Sequence, residues 1–160
     1  MNAYLLDVHL TDEYVFIGPV PVLPRGNTVT NLIQVLGEPD RVLPMHYNNV
    51  LVNTLYLYDH LGIRFWAKGE QVSELQLVLE TEARETFPIH SFTGQFEYKG
   101  YSLLPPVPGS LLASGELVGF EQDTDVLQYD RVVYIARTPQ IKYTVLISNV
   151  TRNVKYVSIA

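Results

Sequence analysis

The chain has 160 residues, of which 47% are hydrophobic, and it contains no cysteine. This length and composition suit one domain that buries a core, and they exclude disulfides, thiolate metal sites and a cysteine nucleophile. Eleven Lys and Arg against seventeen Asp and Glu give a net charge of −6. This charge argues against nucleic acid as a partner and is compatible with a basic protein partner. The alternative is that the charge simply keeps the protein soluble.

The first residues of the chain predict its compartment. Residues 1–7 lack the basic segment and the long apolar run of a signal peptide. No stretch of the sequence approaches the roughly 20 apolar residues that cross a bilayer. We therefore expect a cytoplasmic protein that does not bind membranes.

The first half of the sequence predicts a strand followed by a helix. Residues 14–17 are β-branched and aromatic, which is typical of a short strand. Thr28 is a suitable N-cap, and apolar residues then recur at helical spacing as far as Leu36. Gly37 is a suitable C-terminal cap. The sequence therefore predicts a helix of two to three turns, followed by a loop over residues 41–53.

Alternating patterns then predict an antiparallel meander over residues 54–58, 63–66 and 72–79. One face of this sheet is expected to carry Leu55, Leu57, Ile63 and Phe65. Because one face of a sheet must be buried, we expect the helix to cover this leucine-rich face. The other face is expected to carry Tyr56, Tyr58, Arg64, Trp66, Glu74 and Gln76.

The second half repeats the order of the first. Residues 14–18 and Gly37 are matched 82 positions later by residues 96–100 and Gly119, where a second helix over residues 110–118 should end. Tyr58-Asp59 and residues 65–68 recur as Tyr129-Asp130 and residues 134–137, at offsets of 71 and 69. Loss of most of the loop over residues 41–53 accounts for the smaller offset. An alternative is that any α+β chain produces such patterns twice.

This repeat predicts one globular domain over residues 1–160, built from two units over residues 1–88 and 89–160. The predicted fold class is α+β, with two tandem helix-plus-antiparallel-sheet units and short helices on one sheet face.

Residues 28–80 carry a further pattern, in which a short helix leads into Leu36-Gly37-Glu38-Pro39 and then into a hairpin-rich sheet. This pattern resembles the repeat unit of the β-lactamase inhibitory protein family and the small domains of outer-membrane assembly lipoproteins. The resemblance implies two tandem units and a concave sheet face that grips a target enzyme. Residues 56–63, together with Phe92-Thr93-Gly94, also resemble bacterial immunity proteins found beside polymorphic or type VI toxins.

The sequence predicts no catalytic centre, metal site or cofactor. The four histidines, His9, His46, His60 and His90, lack metal-ligand spacing. Serine-hydrolase elbows and glycine-rich phosphate loops are missing from the sequence. Carboxylate pairs such as Glu80 and Glu82 fall near segment ends, where we interpret them as solvated turn charge.

The aromatic face of the meander is the predicted binding site, because Tyr, Trp and Arg are enriched in interface hot spots. The candidate partner-binding residues are Tyr56, Tyr58, Asp59, Arg64, Trp66, Glu74 and Gln76. Alternatively, this face packs against the second unit or against a homodimer partner.

These features together favour an inhibitor, of the immunity-protein type, that blocks the active site of a bacterial toxin or enzyme sterically. A ligand-binding or enzymatic domain with a pocket between the two units is one alternative. A structural adaptor with no inhibitory role is another.

Overall fold

The computed structural model of the protein describes residues 8–22, 27–117, 119–124 and 132–160. These residues form thirteen strands and two short helices. In chain order the elements are β1 (Val8–Leu10), β2 (Val15–Ile17), β3 (Val20–Val22), α1 (Val29–Leu36), β4 (Arg41–Tyr47), β5 (Val50–Tyr58), β6 (Ile63–Lys68), β7 (Gln71–Val78), β8 (Phe96–Tyr98), β9 (Tyr101–Leu103), α2 (Ser110–Ala113), β10 (Glu121–Gln122), β11 (Val132–Arg137), β12 (Lys142–Ile147) and β13 (Val154–Ile159).

The strands form two sheets. The smaller sheet has the order β3-β2-β1-β8-β9 and is mixed, because β1 and β8 run parallel. The larger sheet is antiparallel, with the order β10-β11-β12-β13-β7-β6-β5-β4. It consists of two four-strand meanders joined through β7 and β13. The architecture is mainly β, which corrects the predicted α+β class: the helices hold only eight and four residues.

The helix α1 forms where the sequence predicts it. The side chain of Thr28 accepts a hydrogen bond from the backbone N–H of Asn31, which satisfies one of the free N–H groups of the first turn. Gly37 ends the helix with φ +85° and donates its N–H to the carbonyl of Ile33. The predicted caps of this helix are therefore confirmed.

The predicted loop over residues 41–53 is wrong, because this segment forms β4 and the first part of β5. Asn48 and Asn49, at φ +50° and +62°, make the two-residue turn between them. The first meander therefore has four strands, where the sequence predicts three.

The second half also differs from its prediction. Its helix ends at Ala113, and Gly115 follows with φ +76°. Residues 65–68 and 134–137 lie on β6 and β11, which are the third and second strands of their meanders, so this match does not join equivalent strands. Tyr129, Asp130 and Val118 lie outside the described residues.

One face of the large sheet, the covered face, packs against the small sheet and both helices. Tyr143 shows this contact, because its hydroxyl donates to the carbonyl of Thr11 at 2.6 Å and its ring meets that of Tyr98 edge-on. The other side of the sheet is the open face. In β12 the residues of the covered face are buried, whereas those of the open face are half-buried. Neither described helix is long and apolar enough to cross a membrane.

Candidate functional site

The strand register divides the predicted binding residues between the two faces. Tyr56 lies opposite Phe65 and Tyr58 lies opposite Ile63, across the four-residue turn at 59–62. Paired residues of antiparallel strands share a face. The even-numbered residues of β5 therefore lie beside the odd-numbered residues of β6, and the predicted grouping of Tyr56 and Tyr58 with Trp66 is wrong.

Tyr56 and Tyr58 belong to the covered face. Tyr58 is 2% exposed, and its hydroxyl donates to the carbonyl of Gly37 at 2.8 Å. Tyr56 stacks on Phe65, with the ring centroids 4.6 Å apart. Burial raises the pKa of both phenols. Both tyrosines therefore pack on the same face of the sheet as α1, and Tyr58 bonds directly to the end of that helix.

The predicted position of the β5 leucines on the helix-covered face is also wrong. Leu55 lies opposite Trp66 and Leu57 lies opposite Arg64, so both leucines belong to the open face. Both are nevertheless fully buried. Another part of the chain must therefore cover this region of the open face.

Arg64, Trp66, Glu74 and Gln76 do come together on the open face. Arg64 lies opposite Gln76, and Trp66 lies opposite Glu74. Arg64 is 5% exposed, and its Nε donates to Gln76 Oε1 at 2.9 Å. Its guanidinium also lies 4.8 Å from the centroid of the half-buried Trp66 ring, within cation–π range. Burial lowers the pKa of Arg64. We call this group, with Tyr156, the Trp66 cluster.

The polar members of the Trp66 cluster satisfy one another. Gln76 donates its side-chain amide to Glu74 Oε1 at 2.8 Å, and the hydroxyl of Ser158 on β13 donates to the same oxygen. Arg64 also faces the ring of Tyr156 on β13, 5.9 Å away. The cluster therefore connects the two meanders across the junction of β7 and β13.

Residues 80–91 cover part of the open face. Arg64 donates to the carbonyl of Thr86 at 2.5 Å, and its guanidinium lies 4.0 Å from the ring centroid of Phe87. Arg41, also on the open face, donates to the carbonyls of Glu85 and Phe87. Leu57 lies between Arg41 and Arg64 on the neighbouring strands, so this covering segment accounts for the burial of Leu57 on the open face.

Asp59 serves this covering segment. It is 4% exposed, and its carboxylate accepts two hydrogen bonds from Arg41 and one from the N–H of Ile89. The bond from Arg41, followed by the one from Ile89, lowers the pKa of Asp59. Asp59 therefore holds the covering segment in place. Its carboxylate is buried against Arg41 and Ile89, and it does not lie on the exposed surface where the sequence predicts a partner-binding residue.

Sequence reasoning missed several residues of the open face. Tyr156, which belongs to the Trp66 cluster, is half-buried there, as are Leu146 and Ile135 across the second meander. The alternation in β12 and β13 could have indicated them. Arg41 gave no comparable signal, because it fell within the predicted loop.

A groove lies beside the cluster, between the two halves. Its lining includes Arg64, Glu82, Arg84, Lys155 and Tyr156. Glu82 forms ion pairs with both Lys155 and Arg84. Within the part of the chain that the structure describes, no three His, Asp or Glu side chains gather as a metal site would require.

Residues 7–106 match the model of a family described as a domain of unknown function (DUF7738), and the chain belongs to that family. The matched region contains Arg64, Trp66, Glu74 and Gln76, and it ends before Tyr156. No curated protein and no solved structure matches the chain.

Proposed function

We propose that this protein is a cytoplasmic inhibitor of the immunity-protein type, which binds a toxin or enzyme on its open face and blocks it sterically. The observation that carries the proposal is the half-buried Trp66 ring, held against the buried guanidinium of Arg64. Interfaces are anchored by a few Trp, Tyr and Arg side chains at their centre. Trp66 and Tyr156 would be such anchors.

The rigidity of the Trp66 cluster supports this proposal. Arg64 is fixed by Gln76 and by the carbonyl of Thr86, so its position beside Trp66 is set before any partner arrives. A side chain that is already ordered loses less entropy on binding. The cluster is therefore suited to specific docking.

Charge indicates the kind of partner. The chain carries a net charge of −6, and Glu74 lies half-buried on the open face beside Trp66. Acidic surfaces speed the encounter with basic partners and lose this effect in high salt. We therefore propose a basic partner.

We further propose that residues 1–88 and 89–160 are two copies of one unit, as the likeness to the β-lactamase inhibitory protein family implies. Support comes from the element order, since a hairpin, a short helix and a four-strand meander occur in each half. Two backbone hydrogen bonds between the helix start and the last strand also recur. In the first half, Val29 N–H donates to the carbonyl of Glu70 and Val72 N–H donates to that of Asn27. In the second half, Gly109 N–H donates to the carbonyl of Arg152 and Val154 N–H donates to that of Val107.

A small-ligand site in the groove between the halves is the second candidate. The convergence of Arg84, Lys155 and Glu82 favours it, because ligand sites place a few polar groups in a cleft. These charges already pair with one another. A charged ligand would have to break those pairs, and we therefore rank this function below protein binding.

The test uses the product of the neighbouring gene as the partner. Trp66 is the single tryptophan of the chain, so binding on the open face should shift its fluorescence emission to shorter wavelength. Trp66→Ala should raise the dissociation constant about thirtyfold, since an anchor is worth about 2 kcal/mol or more. Leu104→Ala, which truncates a side chain 67% exposed near the small sheet, is the matched control.

Calorimetry measures both variants, and circular dichroism checks their folding. Equal affinity of the wild-type protein and a folded Trp66→Ala variant would place the interface elsewhere. Absence of any binding by the wild-type protein, with no protection of cells against that gene product, would count against the inhibitor proposal itself.

A further inference from the structure

The hairpin of β4 and β5 ends in a tight, uncovered turn. Tyr47 pairs with Val50, and Asn48 and Asn49 between them both have positive φ. Two such residues make the tight turn that matches the twist of the flanking strands, and asparagine tolerates this conformation. The sequence of the turn therefore suits a tightly closed hairpin.

The tip exposes large apolar side chains on both sides. Val50, Leu51 and Val52 are 65%, 55% and 46% exposed, although successive residues of a strand point to opposite faces. Tyr47, at 72%, extends the same surface. We call residues 42–54 the hairpin surface. Several large apolar side chains left exposed together at one tip indicate an interaction site.

The hairpin surface also lacks charge. No Asp, Glu, Lys or Arg occurs between Val42 and Tyr58, in a chain whose net charge is −6. Two copies of an acidic chain repel each other, so contact between them is favoured at a surface without acidic residues. A basic partner would instead favour acidic residues at the contact. The absence of charge therefore points to a second copy as the occupant.

We propose that the hairpin surface binds the hairpin surface of a second copy, giving a two-fold symmetric dimer. In such a contact the same patch lies on both copies and must be complementary to itself. Apolar side chains meet this requirement easily, because their attraction is not directional. The hairpin surface has 13 residues, about half of the 20–30 per side in a standard interface. The contact is accordingly small, which is typical of a weak, reversible dimer.

Sedimentation equilibrium of the full chain tests the proposal. The mass should rise with concentration from 18.2 kDa toward twice that value, and 1 M salt should tighten the dimer because it screens the repulsion between the acidic copies. Leu51→Lys should hold the protein at the monomer mass at every concentration. Val150→Lys is the matched control, since Val150 is 91% exposed between β12 and β13 and should leave the dimer unchanged.

A second variant keeps the test decisive if Leu51→Lys fails to fold. The chain has no cysteine, so His46→Cys on the exposed hairpin can form a disulfide only between copies, whereas Val150→Cys reports random collision. A covalent dimer specific to His46→Cys supports the proposal. A wild-type protein that stays monomeric, or a Leu51→Lys variant that still dimerises, overturns it. Neither result bears on Trp66, whose own test uses a different partner.

Discussion

Arg41 and Asp59 form a two-pronged ion pair, in which Arg41 Nε lies 2.9 Å from Asp59 Oδ2 and Arg41 Nη2 lies 2.8 Å from Asp59 Oδ1. The same guanidinium donates to the carbonyls of Glu85 and Phe87, and the same carboxylate accepts from Ile89. Both partners of the pair therefore hold residues 80–91 on the open face.

Asp59→Asn should destabilise the protein by about 2 kcal/mol, because it leaves Arg41 without its charged partner and weakens hydrogen bonds to an ionised group. Urea unfolding measures the change. Asp12→Asn is the control: Asp12 pairs with Lys99 at the same 2.8 Å, but its side chain is 61% exposed. Exposed pairs contribute about 0–1 kcal/mol. Equal losses in the two variants would contradict the structural role of Asp59.

The stabilisation by Asp59 should depend on pH in a defined direction. Arg41 lowers the pKa of Asp59 in the folded protein, below the value of about 3.9 in an unfolded chain. The ion pair therefore stabilises the fold fully above about pH 4, and this contribution disappears as the pH falls through the folded pKa. The difference between the wild-type protein and Asp59→Asn should shrink between pH 5 and pH 3. A difference that stays constant over this range would exclude the pair as its source.

Local signals in the sequence predicted local structure well. The helix α1 was identified from Thr28, Gly37 and the spacing between them, all of which act within a few residues. The strand β4 escapes prediction because Pro44 interrupts its pattern.

The site was predicted in part. Arg64, Trp66, Glu74 and Gln76 share a face because alternation along β6 and β7 is a local rule. The prediction that Tyr56 and Tyr58 share this face is wrong. The pairing across the turn at 59–62 puts the even-numbered residues of β5 beside the odd-numbered residues of β6, and alternation within one strand does not reveal this pairing. The role of Asp59 depends on Arg41, 18 positions away, and on a covering segment that no periodic pattern marks.

Gly62→Ala should be strongly destabilising. Gly62 has φ +67°, and a Cβ there would lie 2.0 Å from the backbone N of Phe92 and 2.4 Å from the carbonyl carbon of Ser91. Gly69→Ala is the control, because Gly69 has φ +61° and nothing within 4 Å of the same position. Both variants carry the strain of positive φ, about 1–2 kcal/mol. Only Gly62→Ala adds overpacking against backbone, typically about 1–3 kcal/mol. Equal unfolding midpoints would contradict this close approach.

Tyr58→Phe should lower stability by about 1 kcal/mol and leave partner binding unchanged. The change removes the hydroxyl that donates to the carbonyl of Gly37, at the end of α1. Tyr14→Phe is the control, since Tyr14 is 40% exposed. Denaturant unfolding and titration with the partner separate the two effects. Weaker binding by a stably folded Tyr58→Phe variant would return this residue to the interface.

Arg64→Lys should show that the guanidinium, rather than its charge, organises the Trp66 cluster. Lysine keeps the positive charge but lacks the planar group that donates to Gln76 and Thr86 and lies against Trp66. An ammonium buried at this position retains the cost of desolvation and satisfies fewer partners.

We expect Arg64→Lys to lower the free energy of unfolding by about 2–3 kcal/mol, the range for hydrogen bonds to charged groups. The emission of Trp66 should move to longer wavelength, because the ring loses the group that shields it. Arg84→Lys is the control, since Arg84 is 73% exposed and pairs with Glu82 at the surface. That change should stay within about 0.5 kcal/mol. If Arg64→Lys matches the control in both stability and emission, charge alone suffices at this position, and the guanidinium does not organise the open face.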